Sequence, residues 1–152
     1  MKRLLRTNAE NADFVNLVAK LNQELAILDG EEYAFYSQFN KLDSIKHVVL
    51  AYMGEEAIAC GAIKAYDANT MEVKRMYTNE TIRGKGIATM VLKELEQWAI
   101  DLGYEKCILE TGTNQPDAIR LYEKNGYQLI PNYGQYEGKQ ASKCFEKTLK
   151  SK

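Results

Sequence analysis

The sequence predicts an α/β (α+β) chain: a single mixed central sheet, largely antiparallel, flanked by helices on both faces. The first observation behind this is an order of elements. Seven strand-like runs and four helix-period segments read β-α-α-β-β-β-α-β-α-β-β. The second is size, since 152 residues with 45% hydrophobic and 27% charged side chains suffice for a substantial core. The third is the lack of any linker, repeat or low-complexity stretch, so one domain over residues 1–152 is expected.

Each element has a local reason. Residues 1–6 (MKRLLR) read as the first strand. Thr7 and Glu10 have capping-box spacing, and Phe14, Leu17, Val18, Leu21, Leu25 and Leu28 recur with helical period until Gly30 stops the helix. Residues 31–42 hold a second short helical segment carrying Tyr33, Phe35, Tyr36 and Phe39. HVVLAYM (47–53) and AIACGAIKAY (57–66) flank the turn signal Gly54-Glu55 and read as a hairpin, with MEVKRMYT (71–78) as the next strand. The helix after Gly86 is expected to bury Ile87, Val91, Leu95, Trp98 and Leu102 on one stripe and to end at Gly103. KCILET (106–111) is a strand. Pro116 sits in the first turn of the last helix, where its missing N–H is harmless, and Asn125-Gly126 closes it. Residues 127–130 and 143–149 are the final strands.

Composition excludes several function classes. Lys and Arg total 20 against 21 for Asp and Glu, so no global field recruits nucleic acid or a membrane, and anion binding must be local. Cys60, Cys107 and Cys144 are odd in number and far apart, which argues against a metal knuckle or disulfide framework; no metal is expected. They read as small core residues, and His47, the one histidine, as structural. The first residues hold no apolar run of signal-peptide length, and no stretch could span a bilayer. A cytoplasmic protein, monomeric or homodimeric, is expected.

The chemistry is concentrated in IRGKGIATMVLKELEQWA (82–99), where two glycines flank a lysine just before an amphipathic helix. Such a loop lets backbone N–H groups approach an anion, and the helix N-terminus favours negative charge. A Walker-type loop fails, because Lys85 is followed by Gly86 and residue 79 is Asn. A dinucleotide fingerprint fails, because position 89 is Thr and no βαβ unit opens the chain. The spacing Arg83-x-x-Gly86-x-Ala88 instead resembles the Q/R-x-x-G-x-G/A pyrophosphate loop of the acetyl-coenzyme A-dependent N-acetyltransferases of the GNAT superfamily. MYTNETIRGKGIATMVLKEL (76–95) is similar to that family's strand–loop–helix core, and AIRLYEKNGYQLI (118–130) to its final helix–strand signature.

The resemblance implies the GNAT fold, acetyl-CoA as co-substrate, and acetyl transfer to a primary amine of a small molecule or peptide by direct attack in a ternary complex. A non-catalytic acyl-CoA-binding or sensing module, or a protein lysine or N-terminal acetyltransferase, stand as alternatives. The residues implied to hold the cofactor are Met76, Tyr77 and Thr78 on the strand, then Arg83, Gly84, Lys85, Gly86, Ile87, Ala88 and Thr89. Asn114, Gln115 and Tyr122 complete the set. Many members carry Asn three residues before the alanine of the last helix; this chain has Gln115 there with Asn114 adjacent, so either amide is a candidate.

Tyr122 occupies the place of the family's tyrosine that protonates the departing sulfur. A phenol of pKa ~10 can serve a thiolate of pKa roughly 8.5 when held within hydrogen-bond reach. Glu72 lies eleven residues before Arg83, the spacing of the general-base glutamate in histone-type members, and Glu110 on the following strand is its rival. For either carboxylate the plainer role is an ion pair with Lys74, Arg75 or Lys106. Tyrosines 33, 36, 133 and 136 are expected around an acceptor cleft, with Glu31 and Glu32 drawing in a cationic amine.

Overall fold

A computed structural model of the chain describes residues 2–37 and 45–150. Seven strands form one sheet: β1 (Lys2–Thr7), β2 (His47–Met53), β3 (Glu56–Ala65), β4 (Thr70–Thr78), β5 (Lys106–Gly112), β6 (Gln128–Ile130) and β7 (Ser142–Thr148). Their spatial order is β1-β2-β3-β4-β5-β7-β6, and every neighbouring pair is antiparallel except β4 with β5. Helices α1 (Ala12–Asp29) and α2 (Tyr33–Ser37) cover one face, and α3 (Ile87–Asp101) with α4 (Pro116–Lys124) the other. Phe39 and the rest of the expected second helix beyond residue 37 lie outside the described residues.

Each face has its own apolar core. Beneath α1, Phe14, Leu17, Val18 and Leu21 pack on Val48, Leu50, Cys60 and Ala62. Beneath α3, Ile87, Val91, Leu92, Leu95 and Ala99 pack on Val49, Ile63, Val73 and Leu109, with Tyr122 and Tyr127 joining from the α4 end. Alternation along β2 and β3 sends successive residues to opposite cores, which is why both strands read as nearly continuous apolar runs.

Three local expectations are corrected. The capping box at Thr7 and Glu10 does not form, because Thr7 stays in β1 opposite Val48. The helix starts instead behind Asn11, whose side chain accepts from the N–H groups of Asp13 and Phe14. The α3 stripe is not fully buried: Trp98 is only partly covered, and Leu102 is 42% exposed because the helix ends at Asp101. Leu28, last in the α1 series, is also 42% exposed.

Two irregularities shape the centre of the sheet. β4 and β5 pair only from Thr70 opposite Lys106 to Glu72 opposite Ile108, and beyond that point no pairing joins them. In β4, two residues, Arg75 and Met76, face the single Gly61 of β3, a bulge at which Arg75 adopts φ +58°. Arg75 is the one non-glycine residue with positive φ among those described. Gly61 fits only without a side chain, since a Cβ there would lie 2.5 Å from Met76 Sδ and 2.8 Å from Leu95 Cδ1.

Candidate active site

Where β4 and β5 part, a cleft of about 1030 Å³ runs between α1 and α3. At one end is the loop that enters α3. Gly84 and Gly86 have φ of 80° and 79°, a conformation open to glycine at little cost, and a side chain on either would meet nothing within 4 Å. Among the described residues no backbone acceptor takes the N–H groups of residues 84–89, and α3 has no side-chain cap at Gly86. A row of such free donors at the positive end of a helix dipole is chemically suited to an anion.

Gly84, Gly86, Ile87, Ala88 and Thr89 all line the cleft, as do Met76, Tyr77, Thr78, Arg83, Asn114, Gln115, Tyr122 and Glu110. Lys85 is exposed and Glu72 is buried behind the wall; neither lines it. Arg83 is already engaged: Nη2 meets Glu24 Oε2 at 2.7 Å and Nε donates to the Thr78 carbonyl at 2.8 Å. Its charge is therefore partly spent on holding α1 to the loop. Of the two candidate amides, Asn114 donates its side-chain N–H to the Leu28 carbonyl, while no such bond holds Gln115 among the described residues.

Tyr122 stands in the wall, 6% exposed, edge-on to Tyr127. Its hydroxyl makes no hydrogen bond to another described residue, and burial, aided by the charge of Glu110, pushes its pKa above that of a free phenol. It stays protonated across the accessible pH range. Glu110 faces the same space. Burial, with the charges of Asp29 and Glu72 adding to it, raises its pKa to about 7, against the opposing pull of the Ser142 hydroxyl.

Glu72 differs in its partners. One carboxylate oxygen accepts from the Tyr133 hydroxyl at 2.7 Å and the other lies 3.7 Å from Lys74 Nζ. Glu72 has the spacing of the general base, but its carboxylate is occupied while Glu110 lines the cleft. Tyr36 and Tyr136, stacked at 6.3 Å, form part of the wall, and Tyr133 packs against Tyr136 from behind. Glu31 and Glu32 are exposed and do not line the cleft, so their expected role in drawing in an amine has no support in the geometry. The residues that sequence reasoning passed over are Lys74 and Arg75, which do line it. Both are charges within a strand, and only the bulge turns them to one face.

The side chains outside the cleft behave as structure. His47 packs edge-on against Trp98 at 4.8 Å, and burial lowers its pKa. The three cysteines are free and buried; burial raises Cys60 and Cys107 to about 12 and Cys144 to about 11, so none is a ready thiolate. No described helix is long and apolar enough to cross a membrane.

A family model described as the acetyltransferase (GNAT) family matches residues 12–127. The chain belongs to that family. The Bacillus subtilis uncharacterized N-acetyltransferase YsnE is 36% identical over 88 residues, which is 57% of this chain and 58% of that one. The chain spans about three fifths of the length of the curated relatives it matches. Among solved structures, a Klebsiella pneumoniae protein assigned to the acyl-CoA N-acyltransferases superposes with TM-score 0.80 at 28% identity, covering 98% of each chain. The Thermoplasma acidophilum paia N-acetyltransferase, solved in complex with coenzyme A, superposes with TM-score 0.73 at 17% identity, covering 97% of this chain and 99% of that one. The GNAT fold thus accounts for the sheet order, the parting of β4 and β5, and the glycine loop before α3.

Proposed function

We propose that this GNAT protein is an acetyl-CoA-dependent N-acetyltransferase, a single domain acting on a primary amine of a small molecule or peptide. The observation that carries this is a convergence in one cleft. A loop of free backbone donors, a phenol with no hydrogen bond to another described residue and a half-buried carboxylate with its pKa raised to about 7 all face the same space. Nucleic acid and membrane have no part in this reading, and a cytoplasmic location fits it.

The residues fit the cofactor on their own chemistry. The N–H groups of residues 84–89 suit a pyrophosphate, and the free edge of β4 at Met76–Thr78 suits the amide-bearing arm by strand-like pairing. When bound, acetyl-CoA supplies a thioester carbonyl. Glu110 accepts a proton from the attacking amine, directly or through one water, and Tyr122 donates its phenolic proton to the departing sulfur. Glu110, rather than Glu72, takes the base role because its carboxylate reaches the cleft. The buried cysteine thiols leave direct transfer, without an acyl-enzyme, as the route this chain supports.

The test is a thermal shift with acetyl-CoA followed by thiol release across a broad amine panel. Saturation well above Kd stabilises by a few kcal/mol, so a clear rise in Tm at millimolar cofactor is expected. No shift overturns the reading. A shift with only slow, acceptor-independent thiol release across the panel would make the chain a binding module instead.

A further inference from the structure

The bulge in β4 places two successive cations on one face of the sheet. In a regular strand Lys74 and Arg75 would point to opposite cores; with Arg75 at φ +58°, both line the cleft and Met76 returns to the α3 side beside Gly61. A non-glycine residue held in this conformation is strained, and such strain clusters at functional sites. The two cations differ in their partners. Lys74 has Glu72 at 3.7 Å. Arg75, only 8% exposed, has no carboxylate partner among the described residues.

Arg75 is held but not satisfied. Its Nη1 donates to Asn22 Oδ1 on α1 at 2.9 Å. The groups that act on its charge are the Cys60 thiol and the hydroxyls of Tyr136 and Tyr33, none of them a carboxylate, and burial raises the pKa of both Cys60 and Tyr136. Among the described residues its other nitrogens form no bond, yet they are not sealed from solvent, because Thr70 Oγ1 is the one described side-chain polar atom that is both buried and unbonded. A desolvated cation without a counter-charge is costly, and an anion arriving through the cleft would offset that cost.

We infer that the acceptor is an amine that also carries a carboxylate, and that Arg75 receives that carboxylate from the cleft. The inference deepens the acetyltransferase reading and rests on it for the amine. A guanidinium offers paired N–H donors that match a carboxylate in geometry as well as charge. Glu110 and Asp29 line the same cleft, so a singly charged carboxylate is accommodated better than a doubly charged phosphate. The same two carboxyl groups favour the amine end of such a molecule.

The test pairs turnover with binding. Free amino acids, their carboxamides, the corresponding amines lacking the carboxyl, and 2-aminoethyl phosphate are compared as acceptors by thiol release at saturating acetyl-CoA. The same compounds are titrated by calorimetry into the protein with coenzyme A present. The free amino acids are expected to exceed their carboxamides by at least tenfold in kcat/KM, mostly through KM, in line with a charge-assisted hydrogen bond. Arg75→Gln should collapse that ratio, and Arg75→Lys should keep part of it, while both retain the thermal shift with acetyl-CoA.

Carboxamides or simple amines used as well as the amino acids, 2-aminoethyl phosphate used better, or a ratio that survives in Arg75→Gln would each overturn the inference. If no amine is turned over, the acetyltransferase reading fails and the calorimetry decides the carboxylate site by itself. Carboxylate binding that Arg75→Gln loses sustains the site, and its absence in the wild type overturns it. If Arg75→Gln does not fold, the wild-type ranking and Arg75→Lys carry the decision.

Discussion

The cleft has one wall made of backbone and one made of ionisable side chains. On the α3 side the donors are the N–H groups of residues 84–89, and the side chains behind them form a dry core of Ile87, Val91 and Leu95. On the α1 side the backbone is paired within β3 and β4, and the facing groups are Lys74, Arg75, Glu110, Tyr36 and Tyr136. As proposed, the backbone wall recognises what all acyl-CoA molecules share, since it depends on chain path alone. A side-chain site discriminates among acceptors, since each group contributes its own charge, reach and titration. The two walls should therefore fail in different ways when altered.

The largest expected effect is on the backbone wall. Gly86→Asp puts a carboxylate where the pyrophosphate is proposed to sit, and Asp tolerates positive φ better than most residues, so the fold should survive. The acetyl-CoA thermal shift should vanish, whereas Gly86→Asn, of the same shape without the charge, should keep part of it. An Asp variant that binds normally would show that the loop is only a turn.

Tyr122→Phe comes next. The hydroxyl makes no bond to another described residue, so its removal leaves no group unsatisfied and the Tm should hold. A positioned proton donor is typically worth about 10²–10⁴-fold, so kcat should fall by at least tenfold with little change in KM for acetyl-CoA. The loss should shrink with an acyl donor whose leaving thiol is more acidic. Near-normal kcat would assign Tyr122 to packing alone.

Glu110→Gln should act through pH. With a folded pKa of about 7, the wild-type kcat/KM is expected to rise with pH and level off above neutrality, and the Gln variant should lose both that limb and much of the rate. Stability has its own sign. The folded carboxyl keeps its proton between its ordinary value of 4.5 and about 7 while the unfolded chain releases it, so the native state binds more protons in that window. Wild-type stability should fall as pH rises from 4.5 to 7 and stay lower above it, and Gln should remove that share of the decline. A Tm profile unchanged by the substitution would place Glu110 in solvent.

The smallest effect is expected behind the backbone wall. Gly61→Ala brings a Cβ to 3.0 Å or less from Met76 Sδ, Leu95 Cδ1 and Val91 Cγ1. The Met76 tip can move, but Leu95 and Val91 are fully buried, so a cost of about 1–3 kcal/mol and a lower Tm are expected. Any accompanying change in acceptor preference would show that the bulge opposite Gly61 sets the aim of Arg75.

The sequence alone determined whatever depends on neighbours along the chain. The order of strands and helices follows from apolar period, the hairpin from Gly54-Glu55, and the start of α4 from Pro116, because each is decided within a few residues. The glycine loop belongs here too, since two glycines ahead of an amphipathic helix mark a turn with positive φ at Gly84 and Gly86. Even locally, near-equal options escaped: Asn11 and Thr7 both suit an N-cap, and the pairing of Thr7 with Val48 settled the choice. What only the tertiary structure decided is which ionisable groups share a space. Glu72 and Glu110 are alike as letters in strands, yet Tyr133 and Lys74 hold one behind the wall while the other faces the cleft. Lys74 and Arg75 are adjacent letters that regular pleating would separate. Their common face depends on one extra residue in β4, a shift of register against β3 that the apolar pattern of neither strand encodes.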